Sequence, residues 1–162
     1  MMIWSWYYNR FLYCLRFGRQ PAWTDTAVDA ACGRCRKTAS APYSKFRVGA
    51  AIQMDNGEVV IGSNQENAAY PSGLCAERVA VFHAGAAYPE AKILSLAISA
   101  AADAKVVDTP IPPCGACRQV LAEYEMKQDT PIEIWFMGEA GKVYKSDSLK
   151  NLLPLIFDKD YL

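Results

Sequence analysis

The stretch Phe46–Met54 (FRVGAAIQM), the turn Asp55-Asn56-Gly57 and the run Val59-Val60-Ile61 decide the fold. An Asn-Gly pair between two apolar runs is a strong hairpin signal, because the tight turn of a hairpin needs residues that tolerate positive φ. We therefore predict two antiparallel strands, one on each side of residues 55–57.

Helical patterns lie on both sides of this hairpin. Before it, small apolar residues recur every four positions from Ala27 to Ala39, Thr24 or Asp25 can cap the helix, and Pro42 ends it. After a polar loop over 63–73, the alanine-rich segment 75–87 and the segment 114–127 are both predicted to be helical.

Three further strands follow from composition. The run 93–99 is apolar throughout, which predicts a central strand covered on both faces. Strands are also predicted at 132–137 and near 143–144, and a last helix from Ser146 or Ser148 to a point before Pro154. This order of elements predicts a single α/β sandwich.

Length and charge exclude several classes of protein. With 162 residues, the chain is expected to form one domain. Its 17 basic and 17 acidic residues give no basic excess, which argues against a nucleic-acid binder. Six cysteines are too few for a secreted disulfide scaffold. The sequence has no run of 18 uncharged apolar residues, so no membrane-spanning helix is expected.

Residues 1–23 form an aromatic-rich leader that we separate from the folded domain, 24–162. The leader holds eight of the 19 aromatic residues, and its charges are Arg10, Arg16 and Arg19. Arg10 interrupts the apolar run, unlike a secretory signal, and the three arginines do not share a helix face, unlike an interfacial anchor. A dispensable or mis-assigned leader, an extra packing element, and a targeting or membrane segment remain open.

Three cysteines predict a metal site. Cys114 and Cys117 form a C-x-x-C unit on one helix face, and Cys75 lies at the predicted start of another helix. Thiolates are stabilised at helix N-termini. Three thiolates suit a zinc ion, and catalytic zinc keeps its fourth position for water.

Glu77 and Arg78 predict what such a site does. Glu77 follows Cys75 by two residues and so lies on a different helix face, better placed to reach a metal-held water than to chelate. Arg78 is expected to offset the net negative charge of three thiolates and Zn²⁺.

The remaining cysteines allow a second interpretation of the metal site. Cys32 and Cys35 form a second C-x-x-C unit, so a closed structural zinc site is an alternative, but it leaves Cys75 and Glu77 unexplained. We expect Cys14, Cys32 and Cys35 to be small packing residues. His83, the only histidine, is expected to be an ordinary helix residue.

Several blocks of sequence closely resemble the zinc-dependent cytidine deaminases of the small homotetrameric class. They are CAER at 75–78, PCGACRQ at 113–119, APYSKF at 41–46, VGAA at 48–51, GSNQENAAYP at 62–71 and LLP at 152–154 with Phe157. The resemblance covers about residues 25–157. The leader and the Cys32/Cys35 pair have no counterpart in it.

The resemblance implies zinc, one ion per subunit, on Cys75, Cys114 and Cys117. It implies that Glu77 takes a proton from zinc-held water, passes it to N3 of cytosine and later helps to protonate the departing amine. Further implied substrate contacts are Asn64 and Glu66 on the ribose hydroxyls, the Ala76 amide on the pyrimidine, Phe46 stacked on the ring, and Tyr70 and Phe157 reaching a neighbouring subunit's pocket.

The resemblance also implies an architecture and a cellular role. The fold is expected to be a three-layer α/β/α sandwich with a mixed five-stranded sheet of order 2-1-3-4-5. We expect a cytoplasmic homotetramer that deaminates cytidine and 2′-deoxycytidine in pyrimidine salvage and binds neither nucleic acid nor membrane. The sequence does not rank the two nucleosides, or tetramer against dimer.

Two other functional interpretations of the zinc motifs remain open. The first is a deaminase of another substrate, an aminonucleoside antibiotic or a nucleic-acid base. The Asn-x-Glu pair at 64–66 and the neutral composition argue against these. The second is a non-catalytic module in which Cys32 or Cys35 closes the metal site.

Overall fold

The computed structural model describes residues 13–15 and 27–162. The remainder of the leader and the predicted cap at Thr24 or Asp25 lie outside the described residues. The strands are β1 (Tyr13–Leu15), β2 (Phe46–Met54), β3 (Val59–Ser63), β4 (Ile93–Ala102), β5 (Glu133–Met137) and β6 (Val143–Ser146). The α-helices are α1 (Ala27–Arg36), α2 (Ala76–Ala87) and α3 (Gly115–Gln128). Short 3-10 helices cover Tyr70–Ser72, Leu149–Asn151 and Lys159–Tyr161.

The five predicted strands form a mixed sheet in the predicted order. Strands β3-β2-β4-β5-β6 lie side by side, β4 and β5 pair in parallel, and the other neighbours are antiparallel. The hairpin forms as predicted, with Gly57 at φ +88° in its turn. One strand was not predicted: β1, from the leader, pairs antiparallel with β6 and makes a sixth strand at that edge.

Alternating side chains place helices on both faces of the sheet, which confirms the three-layer sandwich. On one face Ile52, Leu96 and Ile134 belong to a buried cluster that includes residues of α2 and α3. On the other face Ala51 and Ala97 pack with residues of α1. The central strands β2, β4 and β5 therefore bury both of their faces, as expected for a covered sheet.

Glycines allow two helices to approach the sheet closely. A Cβ atom at Gly62 of β3 would lie 2.5 Å from both the Ala76 oxygen and the Ala80 nitrogen of α2. A Cβ atom at Gly49 of β2 would lie 2.4 Å from the Cys32 oxygen of α1. A side chain at either position would collide with helix backbone atoms. The two glycines therefore allow α1 and the first turn of α2 to lie close to the sheet.

The predicted last helix is present but shorter than expected, because its segment forms only the 3-10 helix Leu149–Asn151, with Ser148 as its N-cap. The buried carboxylate of Glu125 on α3 accepts hydrogen bonds from the Ser148 hydroxyl at 2.7 Å and the Leu149 amide at 2.9 Å. It also accepts one from the Ile132 amide at 2.7 Å. These long-range bonds bind the first amides of the segment to α3, and the turn ends before Pro154.

The tail after this turn also lies against α3. The Arg118 guanidinium donates to the Leu152 carbonyl at 3.2 Å, and the Gln119 side chain donates to the Phe157 carbonyl at 2.7 Å. Among the described residues, no helix is both long and apolar enough to cross a membrane.

Candidate active site

The N-termini of α2 and α3 meet at a cluster of three cysteines. Cys75 is the N-cap residue of α2 and Cys114 is that of α3, both with extended backbone angles, and Cys117 lies in the first turn of α3. A thiolate at such a position faces the unpaired amides and the positive end of the helix dipole. The structure therefore brings together the three residues that the sequence proposed as ligands.

The spacing of the sulfur atoms fits a zinc ion. The Sγ atoms of Cys75 and Cys114 are 3.8 Å apart, those of Cys114 and Cys117 are 3.5 Å apart, and all three lie within 4.8 Å of one another. Tetrahedral zinc with Zn–S bonds of about 2.3 Å places its sulfurs about 3.8 Å apart. Cys117 is buried whereas Cys114 is exposed, so the cluster is open on one side.

The charges around the cluster favour a thiolate on Cys75. The Cys117 thiol and the Arg78 guanidinium, whose Nη2 lies 3.7 Å from Cys75 Sγ, lower the pKa of Cys75 to about 5. The same hydrogen bond to Cys75, together with burial, raises the pKa of Cys117. A metal ion bound to the three sulfurs would displace the protons that remain on them.

Glu77 lies in the first turn of α2, where its side chain is only 5% exposed. Burial, and then the negative charge of Cys75, raise the pKa of the Glu77 carboxyl above its usual range. A carboxyl group with a raised pKa can both accept and return a proton near neutral pH. Glu77 thus places a carboxyl group that can carry a proton beside three cysteines that can hold a metal ion.

The predicted ribose-binding residues make local hydrogen bonds in the structure. Asn64 accepts from the Val48 amide at 2.8 Å and donates to the Phe46 carbonyl at 3.0 Å. Glu66 accepts from the Tyr43 amide at 2.9 Å and the Ser44 amide at 3.2 Å. Both side chains keep hydrogen-bonding capacity for a ligand, because an amide offers two N–H groups and a carboxylate about four lone pairs.

The other predicted substrate contacts occupy varied surroundings. Phe46 is half-buried at the start of β2, and Ala76 is buried as the first residue of α2, where helix amides lack an intrahelical acceptor. Tyr70 is 84% exposed and Phe157 is 59% exposed, which is unusual for aromatic side chains of this size. Their exposure leaves both rings available to another molecule.

Cys32 and Cys35 lie apart from the cysteine cluster. The Cys32 thiol donates to the Gly49 carbonyl at 3.1 Å, and the Cys35 thiol donates to the Gly62 carbonyl at 2.7 Å. Burial raises the pKa of Cys35. Among residues 31–162, whose side chains the structure describes, the only group of three or more possible metal ligands is Cys75, Cys114 and Cys117, so neither Cys32 nor Cys35 closes it. His83 is exposed on α2, outside that group.

Sequence reasoning missed three supporting residues: Ser44, whose hydroxyl binds Glu66; Gln119, which binds the tail; and Glu125. Ser44 lies in the APYSKF motif and Gln119 in the PCGACRQ motif, but the predicted site uses other residues of both motifs. The sequence does contain a signal for Glu125. It is an acidic residue four positions after Leu121, on the apolar face of the predicted helix.

Known proteins resemble this chain over most of its length. Residues 21–130 match the family model described as "Cytidine and deoxycytidylate deaminase zinc-binding region". A cytidine deaminase of Halalkalibacterium halodurans is 42% identical over 124 residues, 76% of this chain and 86% of the relative. One of Sporosarcina psychrophila is 38% identical over 131 residues, 80% of this chain and 88% of the relative.

Solved structures agree with these sequence matches. The crystal structure of a cytidine deaminase from Burkholderia pseudomallei superimposes with a TM-score of 0.69 at 38% identity, covering 81% of this chain and 97% of that one. The cytidine deaminase from Mycobacterium tuberculosis gives a TM-score of 0.64 at 31% identity, covering 86% and 99%.

Proposed function

Since the chain belongs to the cytidine and deoxycytidylate deaminase zinc-binding family, we propose that it hydrolyses cytidine and 2′-deoxycytidine to uridine and 2′-deoxyuridine with release of ammonia. It is a hydrolase that acts on the exocyclic C–N bond of cytosine. The observation that carries this proposal is the convergence of three cysteine sulfurs with the buried carboxyl of Glu77 at two helix N-termini.

Cys75, Cys114 and Cys117 would hold one Zn²⁺ per subunit, and Arg78 would balance part of the thiolate charge. When bound, zinc supplies a Lewis acid that makes water acidic near neutral pH. Hydrolysis forms a C4–O bond and breaks the C4–N bond, so one water is consumed and one ammonia is released. Glu77 would carry the protons, first from water to N3 of cytosine and then to the departing amine.

The residues around Glu77 would orient the nucleoside. We assign the remaining hydrogen-bonding capacity of Asn64 and Glu66 to the ribose hydroxyls, and the amide of Ala76 to the pyrimidine. Phe46 would stack on the base, and such a ring contact contributes about 0.5–1.5 kcal/mol beyond its buried area. A clamp of this kind would hold cytidine and 2′-deoxycytidine by the hydroxyl that they share.

A homotetramer would complete the pocket with side chains of neighbouring subunits. The exposure of Tyr70 and Phe157 supports this assignment, because the two rings would be covered in such an assembly. The substrate class is a free nucleoside, and the even charge balance favours it over a nucleic-acid strand. We place the reaction in pyrimidine salvage and the protein in the cytoplasm.

The substrate proposal is tested by ultraviolet absorbance with purified, zinc-loaded protein. Cytidine and 2′-deoxycytidine should both be converted with equimolar ammonia, and an excess of single-stranded DNA should leave the rate of cytidine deamination unchanged. Inhibition by the DNA, with deaminated cytosine appearing in the strand, would instead identify a nucleic-acid substrate. No conversion of either nucleoside would overturn the proposal.

A further inference from the structure

Ser44 lies in the loop between α1 and β2 and connects two of the residues that we assign to the substrate. Its hydroxyl donates a hydrogen bond to Oε1 of Glu66. The same hydroxyl accepts one from the amide of Phe46 at 3.0 Å. Ser44 is exposed and lies outside the metal-ligand group, so packing of the core does not explain these two contacts.

The loop backbone completes a cradle for the Glu66 carboxylate. The amides of Tyr43 and Ser44 both donate to Oε2, while the Ser44 hydroxyl serves Oε1. Each carboxylate oxygen therefore has at least one fixed donor. A carboxylate held in this way has a defined plane, and its free lone pairs have defined directions.

The fold of the loop fixes the direction of the hydroxyl proton. Lys45 has φ +57°, an uncommon backbone angle for a residue with a side chain, and its carbonyl accepts from the Asp103 amide at 3.1 Å. This turn brings the Phe46 amide back to Ser44 Oγ. Because a serine hydroxyl has a single proton, an oxygen that accepts from Phe46 directs that proton to Glu66.

We propose that Ser44 is a positioning residue that holds the Glu66 carboxylate in the orientation needed to bind the ribose. The inference rests on the proposed function, since it assigns Glu66 to the nucleoside. It extends that function because Ser44 sets the specificity for the sugar without touching the substrate. The Ser44 hydrogen bond also lowers the pKa of Glu66, as expected for a hydroxyl that donates to the ionised carboxylate.

The proposal predicts a loss of binding that depends on the sugar. Ser44→Ala should raise KM for cytidine about 10-fold, the effect expected for one hydrogen bond to a charged group, with kcat within about 3-fold. With 2′,3′-dideoxycytidine, which lacks both ribose hydroxyls, the same substitution should change kcat/KM by less than about 2-fold, because Glu66 then has no hydroxyl to bind.

Ser44→Thr is the matched control because it keeps a hydroxyl on the same Cβ atom, and it should restore KM for cytidine to nearly the wild-type value. Zinc content, measured for each variant, should be one ion per chain, which confirms that the metal site and the fold around it are intact.

Glu66→Ala separates failure of this inference from failure of the function on which it rests. It should reduce kcat/KM for cytidine and spare the dideoxynucleoside. If Glu66→Ala shows this selectivity while Ser44→Ala is silent, or weakens both substrates equally, the role of Ser44 is refuted and the ribose clamp stands. If Glu66→Ala weakens both equally, Glu66 does not bind the sugar and both assignments fall.

Discussion

At the scale of single residues, Glu77 combines burial with a position beside three cysteines. A carboxyl that is 5% exposed next to a thiolate is costly to ionise, and this raises the pKa of Glu77. The three sulfur atoms that could bind a metal come from the cysteines, so the Glu77 carboxyl is not needed as a ligand. This combination of burial and raised pKa supports the role in proton transfer that we propose for Glu77.

Substitution Glu77→Gln tests this role. Turnover of cytidine should fall by about 10²–10⁴-fold, because the amide cannot carry the proton, while bound zinc should stay at one per chain. Zinc content and the rate of ultraviolet change are measured on the same sample. A variant that keeps its turnover would show that another group transfers the proton.

Arg78 gives a second prediction at this scale. Removing its guanidinium in Arg78→Ala leaves the charge of the cysteine cluster without its neighbour, and zinc affinity should fall by about 10–100-fold in competition with a chelator. Arg34→Ala, which removes one positive charge from an exposed position on α1, should leave zinc affinity unchanged. Equal affinity in all three proteins would remove Arg78 from the account.

At the scale of elements, α3 carries Cys117 of the cysteine cluster at one end and makes the contacts that hold the tail. Glu125→Gln keeps the shape of the side chain but replaces one acceptor oxygen with an amide NH2 group, which can only donate and would face other donors. The free energy of unfolding in urea should fall by about 2 kcal/mol. Glu123→Gln, exposed on the same helix, should change it by less than about 0.5 kcal/mol. Equal effects would mean that the Glu125 contacts add nothing to stability.

The contact between β3 and α2 gives a matched pair of glycine substitutions. Gly62→Ala forces its Cβ atom into the first turn of α2 and should destabilise the protein by about 1–3 kcal/mol. Gly33→Ala has no heavy atom within 4 Å of the new methyl group and lies in α1, so it should stabilise by about 0.5–1 kcal/mol. Thermal unfolding of both variants and of the wild-type protein measures these changes in stability. A Gly62→Ala protein of unchanged stability would contradict the close packing of α2 on β3.

At the scale of the whole molecule, the sequence predicted those features whose signals are local. The hairpin at 55–57 and the helix starts at Cys75 and Cys114 depend on neighbouring residues, and the structure places them where the patterns indicated. The β1 strand and the contacts of Glu66 and Glu125 were not predicted. The pairing of β1 and the contacts of Glu66 with Ser44 and of Glu125 with Ser148 join residues 22 or more positions apart, and such pairs leave no periodic pattern in the sequence.

The leader is the part of the molecule whose role is open to a direct test. Deletion of residues 1–23 removes β1 from the edge of β6 but leaves the five-stranded sheet and the cysteine cluster complete. Cytidine turnover and oligomeric mass by light scattering should both change little. Collapse to inactive monomers would show that the leader is a structural part of the assembly.

In the proposed function, three cysteine thiolates and Glu77 together form one zinc-dependent deamination site. Zinc titrated into metal-free protein, with uridine formation measured at each step, tests it most directly. Turnover should rise in proportion to bound zinc and level off at one ion per chain, and Glu77→Gln protein should bind the same amount of zinc with turnover lower by about 10²–10⁴-fold. Activity that is independent of zinc, or full zinc loading without conversion of cytidine, would contradict the account.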